Sequence, residues 1–197
     1  MKIFSSATGA QRDETAGALG ETMRPAGAWL FGKIPAHGDF IARGLDHATH
    51  TLLDDWLSLE VARARERFAD FDARYVQAPP WYFVDQDGMG AWSGGALCLS
   101  VDKVGRRFPI LVAAPSSSAD TAREVALAAL ELVFTTFSEG WDADQLALAL
   151  GSIVAACGSG ALPTQSVWAI EADDGTRIEM TGRFPDGLIE RMLEIAA

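Results

Sequence analysis

Residues 32–40 contain a lysine, a histidine and an aspartate together with two glycines, and side chains of these types could carry out acid–base chemistry. An imidazole ordinarily titrates close to neutral pH, and Asp39 could orient the ring of His37. The glycines and Pro35 are also typical of a tight surface turn, in which His and Asp side chains hydrogen-bond to the backbone. We favour the turn, which makes Lys33, His37 and Asp39 candidate partner-binding residues rather than catalytic ones.

A basic cluster lies between two apolar runs later in the chain. Asp102, Lys103, Arg106 and Arg107 surround Gly105, whose backbone freedom suits a turn between strands. Charges at a hairpin tip can prevent edge-to-edge aggregation. They can also form a binding surface for an acidic or phosphorylated partner, because arginine forks match carboxylate and phosphate oxygens. The sequence leaves both interpretations open, and all four charged residues are candidates for partner binding.

An aromatic residue and a cysteine complete the candidates. Trp92 lies among glycines in residues 90–95, where its ring could lock a loop or serve as a binding anchor, and locking is favoured. Cys98 lies in an apolar run, so we expect a buried and unreactive thiol. A cysteine nucleophile would instead require Cys98 to be exposed beside His37.

Several classes of cofactor and metal site find no support in the sequence. No segment has the glycine spacing and Gly-Lys-Ser/Thr ending of a phosphate-binding loop, and residues 88–90 lack the third glycine of a dinucleotide fingerprint. The three histidines show no metal-ligand spacing. We therefore expect no cofactor and no metal.

Length and charge restrict the partners and the compartment. The 197 residues, 49% of them hydrophobic, suit one compact domain. A net charge of −11 disfavours nucleic acid and anionic lipid as partners. No apolar run reaches the roughly 20 residues of a membrane helix, and residues 5–21 are polar where a signal peptide would be apolar. With two cysteines and no disulfide framework, we expect a cytoplasmic protein without membrane insertion.

Hydrophobic periodicity predicts groups of strands separated by helices after a polar start. Residues 1–26 contain few large apolar side chains, so we predict a flexible leader there and a single domain over residues 27–197. We predict strands at residues 28–33, 39–43, 81–84, 95–101, 108–114, 166–172 and 177–181, and helices at residues 47–68, 120–137, 143–156 and 188–195. This order predicts an α/β (α+β) sandwich, in which helices pack on a largely antiparallel central sheet.

Local signals define several helix ends. Thr121 with Glu124 could form a capping box for the second helix, and Asp142 with Gln145 could do so for the third. Gly158 would then follow the end of the third helix as a terminator.

Three segments together resemble the TagF/ImpM family of type VI secretion-associated proteins. They are residues 29–40, residues 92–94 and residues 100–109, in the order and approximate spacing of that family. The resemblance extends over about residues 28–115 and continues more loosely to residues 166–168. The polar leader is not part of it.

The resemblance implies a cytoplasmic, non-enzymatic accessory protein of type VI secretion. It implies post-translational negative regulation through contact with a forkhead-associated scaffold protein, and an α/β fold akin to longin or profilin-like sandwiches. Some relatives are fused to a protein phosphatase domain, for which this chain shows no metal-ligand pattern. The alternatives are a structural component of the secretion apparatus and a small enzyme that uses His37 and Asp39.

Overall fold

The computed structural model describes residues 27–87, 89–153, 165–171 and 175–196. The predicted flexible leader lies outside the described residues, as does the predicted helix terminator Gly158.

The strands of the described chain form one seven-stranded sheet, in the order β2-β1-β5-β4-β3-β6-β7. Every neighbouring pair is antiparallel, which confirms the predicted sheet. The strands are β1 (Trp29–Gly32), β2 (Ile41–Arg43), β3 (Trp81–Gln86), β4 (Trp92–Cys98), β5 (Ile110–Ser116), β6 (Val167–Glu171) and β7 (Arg177–Thr181).

In the described ranges, five helices cover the two faces of this sheet. They are α1 (His47–Arg67), α2 (Phe71–Tyr75), α3 (Ala119–Glu139), α4 (Ala143–Gly151) and α5 (Leu188–Ile195). Side chains of α1, α2 and α5 share one buried cluster with one face of the sheet, and side chains of α3 and α4 pack on the other face. The predicted α/β sandwich is therefore confirmed as three layers, with the sheet in the middle.

Alternation of side chains along the strands produces these two cores. In β1, Trp29 and Phe31 face α1, whereas Leu30 faces α3. In β5, Leu111 belongs to the first cluster and Val112 to the second. Because both faces are covered, the central strands carry runs of consecutive apolar residues, such as residues 110–114 of β5, rather than apolar residues at alternate positions only.

Helix ends follow the predicted caps only in part. Asp142 caps α4 with Gln145 at N3, as predicted. The cap of α3 is Ser118, which forms its capping box with Thr121, so the prediction of Thr121 as the cap was wrong. Ser116 and Ser117 also contact the Thr121 hydroxyl, and this serine cluster lets the helix begin earlier. The predicted end of α4 near residue 156 was also wrong, since the helix ends at Gly151.

Candidate partner-binding site

Two connections meet at one end of the sheet and bring most of the candidate residues together. Residues 33–40 join β1 to β2, and residues 99–109 join β4 to β5. Because Gly32 of β1 pairs with Ile110 of β5, both connections leave the sheet at the same place. The backbone N–H of Lys33 donates to the carbonyl of Pro109 at 3.2 Å, and that of Lys103 donates to His37 O at 2.8 Å.

The carboxylate of Asp102 holds this junction together from inside. It accepts a hydrogen bond from Lys33 Nζ at 2.9 Å, and both side chains are buried, with Lys33 4% and Asp102 2% exposed. It also accepts from Arg106 Nε at 2.6 Å and from the backbone N–H groups of Val104 and Arg106 at 3.0 and 2.9 Å.

Burial and hydrogen bonding act in opposite directions on this carboxyl group. Desolvation has the largest single effect on the pKa of Asp102 and raises it. The hydrogen bonds from Lys33, Arg106 and Val104 together outweigh desolvation and hold the pKa well below its usual range. Asp102 is therefore ionised, and its charge is compensated by Lys33 and Arg106, so that its hydrogen bonds link the two connections.

The two arginines of the basic cluster are both engaged within the chain. Arg106 donates to Asp102 and to the carbonyl oxygen of Gly38, and so fastens one connection onto the other, although its guanidinium remains half-exposed. Arg107 forms an ion pair with Asp72 of α2 at 3.1 Å and lies over the ring of Tyr75. Arg107 is thus paired with an acid that is distant in sequence, on a helix that the sequence did not predict.

His37 and Asp39 lie in the same turn but point to different partners. His37 Nε2 accepts a hydrogen bond from the backbone N–H of Ala143, the first residue of α4, at 3.1 Å. Asp39 Oδ1 accepts from the N–H of Phe40 at 2.8 Å. Within the described residues no hydrogen bond joins the two side chains. The geometry agrees with a tight turn whose polar side chains bind backbone groups.

The outer surface of the junction combines apolar and basic side chains, and we call Asp39, Phe40, Lys103, Val104 and Arg106 the loop surface. Phe40 is 44% exposed, although its ring stacks on that of the buried Phe31 and meets that of the buried Phe108 edge to face. Val104 is 70% exposed at the tip. Lys103 is exposed, and in the part of the chain that the structure describes its ammonium group has no ion-pair partner.

Two of these surface residues were not among the predicted site residues. Phe40 falls in the predicted strand at residues 39–43 and Val104 in the predicted turn around Gly105, and neither is predicted to bind a partner. A large apolar residue in a short polar turn is the signal that could have identified them, because such a residue is either buried or part of a contact surface.

Trp92 does not belong to this surface. It is the first residue of β4, opposite Gln86 and Ser116, and the 99–109 connection follows the other end of the same strand. The prediction of a loop at Trp92 was wrong, because pairing on both sides extends β4 to this residue. Its half-buried ring agrees with a packing role.

Two glycines of the recognised segments permit close packing. A Cβ atom on Gly32 would lie 2.0 Å from Pro109 O, and its φ of +136° also disfavours other residues. A Cβ atom on Gly94 would lie 2.0 Å from Ala122 O of α3. Glycine inside a strand is the sequence signal for such an approach.

Cys98 is buried on the α3 side of the sheet, as predicted, and burial raises the pKa of its thiol to about 12. We expect iodoacetamide to leave Cys98 unmodified in the native protein at neutral pH and to modify it in denaturant, because the thiolate is the reactive form. Peptide mass spectrometry separates this residue from Cys157. Rapid native labelling of Cys98 would contradict the assignment.

The described ranges contain neither a membrane-spanning helix nor a cluster of metal-binding side chains. None of the helices there has the length and apolar character needed to cross a membrane. No group of three or more His, Cys, Asp or Glu side chains there could hold a metal ion.

A family model for the TagF N-terminal domain, type VI secretion system-associated, matches residues 29–150. The chain belongs to the TagF family. This match covers the β1–α4 region, including both connections of the loop surface, and it confirms the resemblance seen in the sequence. The chain is accordingly a type VI secretion accessory protein.

A solved structure agrees with this assignment at the level of the fold. The chain is similar to PA0076 from Pseudomonas aeruginosa PAO1, whose crystal structure at 2.05 Å has 20% sequence identity and a TM-score of 0.65. The similarity covers 84% of this chain and 93% of that one. No curated protein matches the chain.

Proposed function

We propose that this TagF-family protein is a non-enzymatic negative regulator of type VI secretion, which acts post-translationally in the cytoplasm by binding another protein through the loop surface. The observation that carries the proposal is the buried Lys33–Asp102–Arg106 network. It holds together the two connections that carry an exposed aromatic ring, an exposed aliphatic side chain and an exposed lysine.

Fixed side chains of this kind suit a binding hot spot. The ring of Phe40 already packs on Phe31 and Phe108, so little side-chain entropy is lost when a partner covers its exposed part. Val104 adds a second apolar contact within the same surface. Aromatic anchors surrounded by polar groups dominate the energy of many interfaces.

The charges of the loop surface favour an acidic patch on the partner. Lys103 and the half-exposed guanidinium of Arg106 lie here in a protein whose net charge is −11. A basic patch on an otherwise acidic protein contributes mainly to the orientation in which an acidic partner binds, and less to the affinity. The family resemblance points to a forkhead-associated scaffold protein of the type VI system as this partner.

The arrangement of His37 supports binding over catalysis. Its Nε2 atom is occupied by the backbone of α4, and the carboxylate of Asp39 binds the next N–H rather than the imidazole. A general base needs a positioned proton acceptor in reach of substrate. We therefore assign His37 to the support of the turn.

The test substitutes residues that are exposed but do not brace the junction. We expect Val104→Asp and Lys103→Glu each to weaken binding to the purified forkhead-associated scaffold by about 1–4 kcal/mol, the range for truncated or reversed interface residues. Isothermal titration calorimetry measures the affinity, and thermal unfolding followed by circular dichroism checks the fold.

A matched control distinguishes loss of a contact from a general effect of charge. Leu148 of α4 is 74% exposed and lies outside the loop surface, so Leu148→Asp should leave the affinity unchanged. Unchanged affinity in folded Val104→Asp and Lys103→Glu proteins would refute the loop surface as the contact.

A further inference from the structure

The two edge strands of the sheet differ in how they are protected. β2 has three residues, and Arg43 covers its edge by donating to Ala42 O at 2.8 Å and to Asp144 of α4 at 2.7 Å. β7 has five residues, and within the described residues no strand pairs with its outer side. Unprotected edges offer backbone N–H and C=O groups to another strand.

The register of β6 and β7 shows which backbone groups of β7 point outward. Gly182 N–H donates to Ser166 O at 2.9 Å, so the pair Ser166–Gly182 is hydrogen-bonded. Antiparallel ladders alternate between hydrogen-bonded and non-hydrogen-bonded pairs. The backbone N–H and C=O groups of Ile178 and Met180 consequently bind β6. Those of Arg177, Glu179 and Thr181 point away from the sheet.

Two of the residues whose backbone groups point outward, Arg177 and Glu179, carry opposite charges and lie on the same face of the sheet. Arg177 Nε lies 2.6 Å from Glu179 Oε1, and the two side chains are 43% and 44% exposed. An antiparallel copy can bring Ile178 opposite the partner subunit's Ile178. In this register Arg177 lies opposite the partner subunit's Glu179, and Glu179 opposite the partner subunit's Arg177. A register shifted by two residues would instead place Glu179 opposite the partner subunit's Glu179.

We propose that β7 is a self-complementary edge, at which a second copy of this chain adds its own β7 in the antiparallel register centred on Ile178. The sheet then continues across a two-fold axis. Two pairs of outward backbone groups exchange hydrogen bonds, two cross-strand ion pairs form, and the two Ile178 side chains meet beside the α1 core. Isologous contacts of this kind are the commonest in homodimers.

The contact is small, and this determines its strength. A single five-residue strand buries less surface than the 1,200 Å² or so of a standard interface, so the dimer is weak and reversible. A weak dimer is populated only at high local concentration, as when several copies collect on one assembly.

Charge reversal tests the register directly by sedimentation velocity of the full chain, from about 1 µM to about 1 mM. The wild type should show concentration-dependent dimerisation. Arg177→Glu and Glu179→Arg should each weaken it at least about tenfold, because each places like charges opposite each other twice. Mixing the two variants should restore association, since the two acidic side chains on the strand of one variant then face the two basic side chains of the other.

The double exchange Arg177→Glu with Glu179→Arg should also restore the dimer, because the strand becomes self-complementary again. Arg191→Glu is the matched control, since Arg191 is an equally exposed arginine paired with Glu194 on α5, and it should dimerise like the wild type. A wild type that stays monomeric throughout, or one whose dimerisation is unaffected by the single reversals, would overturn the proposal.

Discussion

Substitution of Gly94 by alanine should lower the melting temperature by about 10 °C or more, or prevent stable folding, because overpacking against backbone cannot be relieved by side-chain movement. The added Cβ atom would lie 2.0 Å from Ala122 O and 2.6 Å from Ala126 N, both in α3. α3 lies directly on β4 and would have to move away from the sheet. Circular dichroism as a function of temperature measures the effect.

Gly38 provides the matched control for this substitution. It belongs to the 33–40 connection, has no atom within 4 Å of a Cβ position, and does not have a positive φ. Gly38→Ala should therefore change the melting temperature by no more than about 2 °C. Equal effects of the two substitutions would show that α3 does not approach β4 as described.

Replacement of Lys33 by methionine should lower the melting temperature by about 5–10 °C, because it removes a partner from a buried carboxylate. Asp102 would keep Arg106 and two backbone N–H donors, which limits the loss. The shape of the side chain changes little, so the effect reports charge rather than packing. The loop surface should also lose its fixed arrangement and bind the partner more weakly.

A double substitution and a surface pair test this reasoning. Lys33→Met should lower the melting temperature less in an Asp102→Asn protein than in the wild type. The neutral asparagine side chain leaves no buried charge that needs a partner. Arg43→Met breaks an exposed ion pair with Asp144 and should change the melting temperature by no more than about 3 °C. A Lys33→Met protein as stable as Arg43→Met would contradict the role of the buried pair.

The acid dependence of the Asp102 pair has a definite sign. The pKa of Asp102 is lowered on folding, so the unfolded chain takes up a proton first as the pH falls. Its stabilisation is present above the unfolded pKa of about 3.9 and is lost as the pH falls below that value. Asp102→Asn should remove this part of the acid sensitivity. The free energies of unfolding of wild type and variant should therefore differ less at low pH than at neutral pH.

The buried pair also explains why two of the three recognised segments, residues 29–40 and residues 100–109, occur together in one chain. The first segment contributes Gly32 and Lys33, and the second contributes Asp102 and Pro109. Without Asp102 the buried Lys33 would lose its ion-pair partner, and without Lys33 the buried Asp102 would keep only the donors of its own segment. The two segments form one hydrogen-bonded unit, and the family match over residues 29–150 includes both of them.

Most elements of the fold could be predicted from local patterns. The stripe of Leu53, Leu57 and Val61 at helical spacing identified α1, and all three residues are buried. The last helix was predicted with the bounds that the structure shows. The five residues of α2 were missed, because a single helical turn has no periodicity to detect. The start of β4 was also missed, because pairing with β3 and β5, rather than propensity, extends the strand to Trp92.

The sequence by itself determined the features that depend on near neighbours: the helical and strand periods, the cap at Asp142, the burial of Cys98 and the recognisable segments of the TagF family. Only the tertiary structure decided what each charged residue does. Lys33 and Asp102 are 69 positions apart, and Arg107 meets an acid on a helix that was not predicted. The physical reason is that the energy of a charge depends on its burial and its partner, and both come from distant parts of the chain.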